Sequence, residues 1–325
     1  MRKIWYKTAI NEAMHEEMAR DERVFLIGED VDLFGGVFKI SRGLVERFGA
    51  RRVRGTPISE SAFVGLAAGA AMTGLRPIVD MMFWDFANDA YGQIFNQAAR
   101  IHYISNGQYH VPITIIGSCG LAGSSGGHHS SRPYPAYANM PGLKIVVPST
   151  PYDIKGLLKT AIRDNDPVLF FQHRALHNFK GEVPEEEYLI PFGQADVKRQ
   201  GTDVTVVATL RMLHLALKAA DTLEKEGVSV EVVDPRTLFP LDKETILASV
   251  RKTGRLVVAD EAFEPFGLGG EMAALAADEA FYYLDSPIKR IHPVFSPEPM
   301  TPPLEKAWLP SEDRIVAGIR EVMNQ

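Results

Sequence analysis

Glu60 opens the stretch with the most to offer chemically, Thr56-Pro57-Ile58-Ser59-Glu60-Ser61-Ala62-Phe63-Val64-Gly65-Leu66-Ala67-Ala68-Gly69. Pro57 fixes φ and lacks a donor, and Ser59 is of the type that starts helices, so the pattern predicts a helix from Glu60 onward. Gly65 and Gly69 lie four apart and share one face of it, with alanines around them. Each glycine costs about 1 kcal/mol of helix propensity, so the pair marks a face where another backbone comes close. Glu60 then has two readings. It can complement the positive end of the helix, or it can be a fixed acid at the mouth of a packed site.

Other residues could work beside it. Gly28-Glu29-Asp30-Val31 ends a predicted strand, and the carboxyl ends of parallel strands are where such sheets bind ligands. Acids there are also ordinary turn residues. Phe86 and Asp89 are three apart and share a face at a predicted helix start. That placement suits an aromatic ring stacked on a planar heterocycle with a carboxylate one turn away, although core aromatics show the same spacing. Residues 117–135 carry Gly120, Gly123, Gly126, Gly127, His128 and His129, a loop too long and polar to be a mere turn. Within it, Gly123-Ser124-Ser125-Gly126-Gly127 satisfies the G-x-S-x-G pattern of hydrolases, which requires a strand directly before the serine and a helix directly after. Neither is predicted there. The His128/His129 and His173/His177 pairs lack a third ligand at metal-binding spacing, and the second pair is expected in the core or on the surface.

The elements that must hold these residues alternate. Strands are predicted at 24–28, 77–83, 112–117, 143–147 and 168–171, with helices at 8–20, 60–73, 86–105 and 152–164. A looser segment, 173–201, carries Pro184, Pro191 and Glu185-Glu186-Glu187 and reads as a linker with some extended structure. The alternation then restarts, with strands at 204–208, 228–233, 256–259 and 288–291. Helices are predicted at 213–226, 243–250, 271–281 and 312–323, and 293–303 reads as an ordered proline-rich crossing. The expected class is α/β with two doubly wound domains, residues 1–185 and 186–325.

Composition narrows the partners. Apolar residues make up 46% and charged residues 23%, enough for sizeable cores. A net charge of -6 with no basic cluster argues against nucleic acid or an anionic membrane as partner, and no apolar run approaches the ~20 residues of a membrane span. The single cysteine, Cys119, cannot form an internal disulfide, suits a reducing cytoplasm, and is expected to be a buried apolar residue. Residues 9–17 enter a helical pattern at once, so no leader is expected and the expected location is cytoplasmic.

Taken in order, the motifs resemble those of the beta subunits of thiamine-diphosphate-dependent 2-oxo acid dehydrogenases, the pyruvate, branched-chain and acetoin-cleaving members included. The resemblance runs through Gly28-Glu29-Asp30-Val31, Gly35-Gly36-Val37-Phe38, Thr56 to Glu60, Gly74-Leu75-Arg76-Pro77, Gln93 to Ala99, His129-Ser130, Pro141 to Lys144 and Pro148 to Asp153. Val233 to Leu238, Pro240-Leu241-Asp242 and Lys252 to Arg255 are similar to the transketolase C-terminal domain. The resemblance implies an N-terminal thiamine-diphosphate pyrimidine-binding domain and a transketolase C-terminal-like domain. It implies that Glu60 hydrogen-bonds the cofactor's aminopyrimidine and that Phe86 stacks on the ring, with Ile58 and Met82 as apolar walls. His129 is implied beside the substrate, Glu29 and Asp89 in a proton relay, and potassium near Ile113, Ala161 and Asp164. The Gly-Asp-Gly that anchors Mg2+ and diphosphate in this family is absent from the sequence. The resemblance therefore implies an alpha subunit holding the diphosphate and Mg2+ in an alpha2beta2 assembly, and a lipoyl-bearing acyltransferase as acceptor.

The chain departs from the family's usual pattern at Gly92, at Ile116 and in Ser131-Arg132-Pro133-Tyr134-Pro135. These positions leave the substrate open between a 2-oxo acid, acetoin and a sugar. Two alternatives remain: one half of a two-subunit transketolase, and a non-catalytic partner that dimerises through the Gly65/Gly69 helix.

Overall fold

Two sheets built mainly of parallel strands organise the chain in the computed structural model, which describes residues 1–324. The chain divides into two compact units, residues 1–119 with 136–192, and residues 120–135 with 193 onward. The glycine-rich segment therefore belongs with the C-terminal unit, although it leaves the end of an N-terminal strand.

The N-terminal unit begins with β1 (Arg2–Trp5), α1 (Tyr6–Arg20), β2 (Val24–Glu29), α2 (Leu44–Phe48), β3 (Val53–Thr56), α3 (Glu60–Met72) and β4 (Arg76–Phe83). It continues through α4 (Ile101–Ile104), β5 (Thr114–Cys119), α5 (Tyr134–Ala138, whose first two residues are counted with the C-terminal unit), β6 (Lys144–Val146), α6 (Pro151–Arg163), β7 (Val168–His173) and β8 (Lys180–Val183). The parallel strands run in the order β6-β7-β5-β4-β2-β3. β5 and β7 are buried along their whole length, as continuous apolar runs in a two-sided sheet must be. On one face α1 packs on α6, with Tyr6, Ile10, Met14, Ile154, Leu158 and Ile162 in a single core. Lys155 and Lys159, almost fully buried, reach Glu12 and Glu16 across that helix pair at 2.7–3.1 Å.

The C-terminal unit contains β9 (Asp196–Arg199), β10 (Val204–Ala208), α7 (Leu210–Glu224), β11 (Val230–Asp234), β12 (Thr237–Phe239), α8 (Lys243–Thr253) and β13 (Leu256–Ala259). It ends with α9 (Leu268–Glu279), β14 (Lys289–Ile291), α10 (Pro302–Trp308) and α11 (Glu312–Met323). Its sheet runs β14-β13-β10-β11-β9, parallel except for β9. α7 and α11 cover one face and α8 and α9 the other, giving two cores. This is the expected doubly wound arrangement.

One expectation needs correction, and two others gain detail. The single helix expected over 86–105 is a 3-10 turn (Trp84–Asn88), a π-helical turn (Gln93–Ala98) and the short α4. Asn88, Asp89 and Gly92 are poor helix formers, and together they break the pattern. The segment read as a linker contributes two strands, β8 pairing antiparallel with β1 and β9 with β11. Each is four residues long, too short for periodicity to register. The proline-rich crossing turns helical at Pro302, where two prolines occupy the first turn of α10 and need no amide donor. Among the described residues no helix is long and apolar enough to cross a membrane.

Candidate active site

Strand register brings the first two acids together. β2 lies between β3 and β4, with Glu29 opposite Thr56 and Gly28 opposite Asp80. The chain leaves β3 at Thr56, turns through Pro57 to Ser59 and starts α3 at Glu60, so the first carboxylate of the helix returns over the end of β2. Glu60 is only 8% exposed, and its carboxyl shares a hydrogen bond with that of Glu29. The Ser59 side chain makes no cap bond, so Glu60 supplies the negative charge at this helix start. Both readings of Glu60 therefore hold at once: it complements the helix, and it is a fixed, buried acid.

The Glu29 carboxyl is pushed up to about 7, first by burial, then by the Glu60 charge and the hydrogen bond between them, with Asp30 and Asp80 adding to it. Its Oε1 is buried and has no hydrogen-bond partner. Two carboxyls in contact, one with an unused oxygen, form a site that holds one proton near neutral pH and can give it up.

Asp80 is the acid that sequence reasoning missed. It is 8% exposed, burial pushes its carboxyl up to about 6, and its Oδ1 accepts the Met82 N–H at 2.9 Å. That bond closes a bulge where β4 slips register against β5 between Asp80 and Phe83, and Met82 takes a left-handed φ of 60°. A non-glycine residue held there is strained, and such strain collects at functional sites. The bulge re-aims Met82, which is half-buried. A signal existed in the sequence: Asp80 is the one charge inside the apolar run 77–83. Gly28 faces it so closely that a Cβ there would lie 2.5 Å from the Asp80 carbonyl oxygen.

Phe86 sits on the 3-10 turn just after β4, half-buried, with its ring edge-on to Phe83 at 5.7 Å. Trp84 anchors that turn: it is fully buried, stacks on Phe171 at 3.9 Å, and donates its indole N–H to the Phe170 carbonyl at 3.4 Å. Ile58, two residues before Glu60, is 82% exposed. Buried acids beside uncovered apolar surface at Ile58, Met82 and Phe86 fit a flat, nitrogen-bearing aromatic ring such as an aminopyrimidine.

Asp89 is exposed at the end of the 3-10 turn and is not among the charges that shift Glu29. His129 lies in the segment that belongs to the C-terminal unit, half-buried, with its N–H on the Gly126 carbonyl at 3.3 Å. A potassium ion at Ile113, Ala161 and Asp164 fits poorly. Lys144 Nζ already sits 2.7 Å from both Asp164 carboxylate oxygens, and Arg76 takes the carbonyls of Ile162, Arg163 and Asp164. The two cations thus occupy oxygens of Asp164, while the Ile113 and Ala161 carbonyls accept the Val168 and Asp164 N–H groups.

Ser125 is no hydrolase nucleophile: β5 ends at Cys119 and the next helix begins at Tyr134, so no strand-to-helix elbow carries it. His177 is a core residue, buried against Tyr6 and Phe38 with its imidazole pushed down to about 3 by burial. Cys119 is buried. Among the described residues no group of three or more His, Cys, Asp or Glu side chains could hold a metal ion.

Comparison with known proteins identifies both domains. Residues 2–180 match the transketolase pyrimidine binding domain and residues 193–315 the transketolase C-terminal domain. The 2-oxoisovalerate dehydrogenase subunit beta of Bacillus subtilis (strain 168) is 48% identical over 98% of both chains. The acetoin:2,6-dichlorophenolindophenol oxidoreductase subunit beta of the same organism is 46% identical over 98% of this chain and 96% of its own. Among solved structures, a split gene transketolase in an inactive beta4 tetramer shares the fold, with a TM-score of 0.81 at 23% identity over 99% of this chain and 98% of that one. With matches to both domains and relatives aligned nearly end to end, the chain belongs to the family of 2-oxo acid and acetoin dehydrogenase beta subunits, built from a transketolase pyrimidine-binding and a transketolase C-terminal domain.

Proposed function

We propose that the chain is the beta subunit of a two-subunit 2-oxo acid or acetoin dehydrogenase component that uses thiamine diphosphate and passes an acyl or aldehyde unit to a lipoyl group. The observation that carries this reading is the buried Glu60 carboxyl, hydrogen-bonded to a Glu29 that holds its proton to about pH 7. When bound, the cofactor supplies the electron sink for cleaving the bond next to the carbonyl. The protein does the rest. Glu60 offers its carboxylate to a ring nitrogen of the aminopyrimidine and keeps a proton at that nitrogen, which favours the imino tautomer needed as internal base. Glu29 beside it keeps its own proton to about pH 7. Phe86, Met82 and Ile58 cover the faces of the ring and exclude water. His129 hydrogen-bonds the substrate. Asp89 serves the proton relay only across a surface that another polypeptide covers.

The diphosphate and Mg2+ belong to a companion alpha subunit, because Gly-Asp-Gly occurs nowhere in this sequence. A sugar-phosphate substrate is disfavoured. The one guanidinium of the glycine-rich segment, on Arg132, is buried and its charge is matched by Glu298 at 3.3 Å. A purely structural partner has no use for a buried acid pair beside uncovered apolar surface.

The test is co-expression with the alpha subunit, followed by reduction of dichlorophenolindophenol with 2-oxoisovalerate, pyruvate or acetoin, using Glu60→Ala as control. Dye reduction lost in the control supports the reading. Full activity in the control overturns the role of Glu60, and no activity with any of the three overturns the substrate class.

A further inference from the structure

The departure at residues 131–135 has a structural counterpart that the reading above does not use. A segment with Gly123, Gly126 and Gly127 has little intrinsic order, yet a side chain that meets a substrate must be held to within about 0.5 Å. Arg132 supplies that restraint. It is 5% exposed, its Nε donates to the Glu261 carbonyl at 2.8 Å, and its Nη1 donates to the Ser130 carbonyl. Nη1 also faces the Glu298 carboxylate at 3.3 Å, and the guanidinium lies over the Trp308 ring at 4.9 Å and the Phe263 ring at 5.7 Å. Only a planar fork with several donors can join two carbonyls and a carboxylate while resting on an aromatic face. Two residues on, the Tyr134 hydroxyl donates to the Asp260 carboxylate. Nearer the segment's start, the Ser124 N–H donates to Glu305 Oε1 at 2.7 Å. Asp260 and Glu261 directly follow β13, and Glu298 and Glu305 come from the proline-rich crossing and α10.

We propose that Arg132 is a positioning residue for His129: by gripping the Ser130 carbonyl next to it and locking onto Glu261, Glu298 and Trp308, it fixes where the imidazole stands. The inference rests on the reading of His129 as the substrate's hydrogen-bond partner.

The experiment uses the assembled enzyme and compares wild type, Arg132→Lys, His129→Ala and the double variant. Lysine keeps a charge opposite Glu298 but not the fork. Arg132→Lys is expected to lower kcat by about 10- to 100-fold, the effect of a displacement near 1 Å. Half-saturation by thiamine diphosphate should stay within about two-fold, since uniform cofactor binding is not what the fork controls. The double variant should be no slower than His129→Ala alone, because Arg132 acts through that residue. Should the lysine variant fail to assemble, Glu298→Gln, which keeps the fork and removes its counter-charge, should show a smaller kcat loss that likewise vanishes in the His129→Ala background. Losses that multiply in the double variant, or wild-type kcat in Arg132→Lys, overturn the positioning role alone. Full activity of His129→Ala overturns the role of His129 and the latch with it.

Discussion

The role proposed for Glu60 rests on its contact with Glu29, and the exchange of one carboxyl for an amide tests it. Glu60→Gln keeps the shape but cannot hold the negative charge that a protonated ring nitrogen requires. Dye reduction by the assembled enzyme should fall by about 10²- to 10⁴-fold, with assembly unchanged by gel filtration. Asp80 answers to pH instead. Its folded carboxyl titrates at about 6 against an ordinary 3.8, so the folded state binds the proton more tightly than the unfolded one. The stability this contributes is complete below 3.8 and is lost as pH rises through 6. Asp80→Asn can still accept the Met82 N–H, so it should flatten the decline in urea midpoint between about pH 4 and pH 7. The gain at neutral pH should be on the order of 2 kcal/mol. Glu29 has the same sign: its contribution is complete below 4.5 and is lost as pH rises through about 7.

Among the elements, β2, β4 and α3 set the site. Gly28 on β2 tolerates no side chain, because a Cβ would meet the Asp80 carbonyl oxygen at 2.5 Å and β4 cannot yield without losing its bulge. Gly28→Ala should lower stability by about 1–3 kcal/mol in urea titration and reduce cofactor binding with it. On α3 the two glycines differ. A Cβ at Gly65 meets Gln93 at 3.3 Å, whereas one at Gly69 meets nothing within 4 Å. The face that Gly69 leaves bare is therefore open within this chain. Gly69→Trp should leave the thermal midpoint of the isolated chain unchanged, yet block assembly with a second polypeptide in analytical ultracentrifugation. Gly69→Ala should raise that midpoint slightly by helix propensity, worth about 1 kcal/mol.

For the whole molecule, the proposed division of the cofactor, its ring on this chain and its phosphates on another, predicts a chain that is inactive alone. Purified by itself it should reduce no dye with 2-oxoisovalerate, pyruvate or acetoin at any cofactor concentration, and co-expression with the alpha subunit should restore activity. The sequence by itself determined the alternation of strands and helices, the small-residue helix with Glu60 at its start, and the strand end at Glu29, because each is a local matter of periodicity, helix signals and glycine content. It also carried the family resemblance through ordered motifs. Only the tertiary structure decided that Glu29 and Glu60 meet through a hydrogen bond, because that contact follows from β2 pairing beside β3 in a particular register. It decided that Asp80 turns inward and strains Met82, since a bulge depends on the neighbouring strand. It likewise paired Asp164 with Lys144, and it tied the glycine-rich segment to the rest of the C-terminal unit through Arg132. Each of these outcomes depends on groups far apart in the chain meeting away from water, where burial and a neighbouring charge outweigh any local preference.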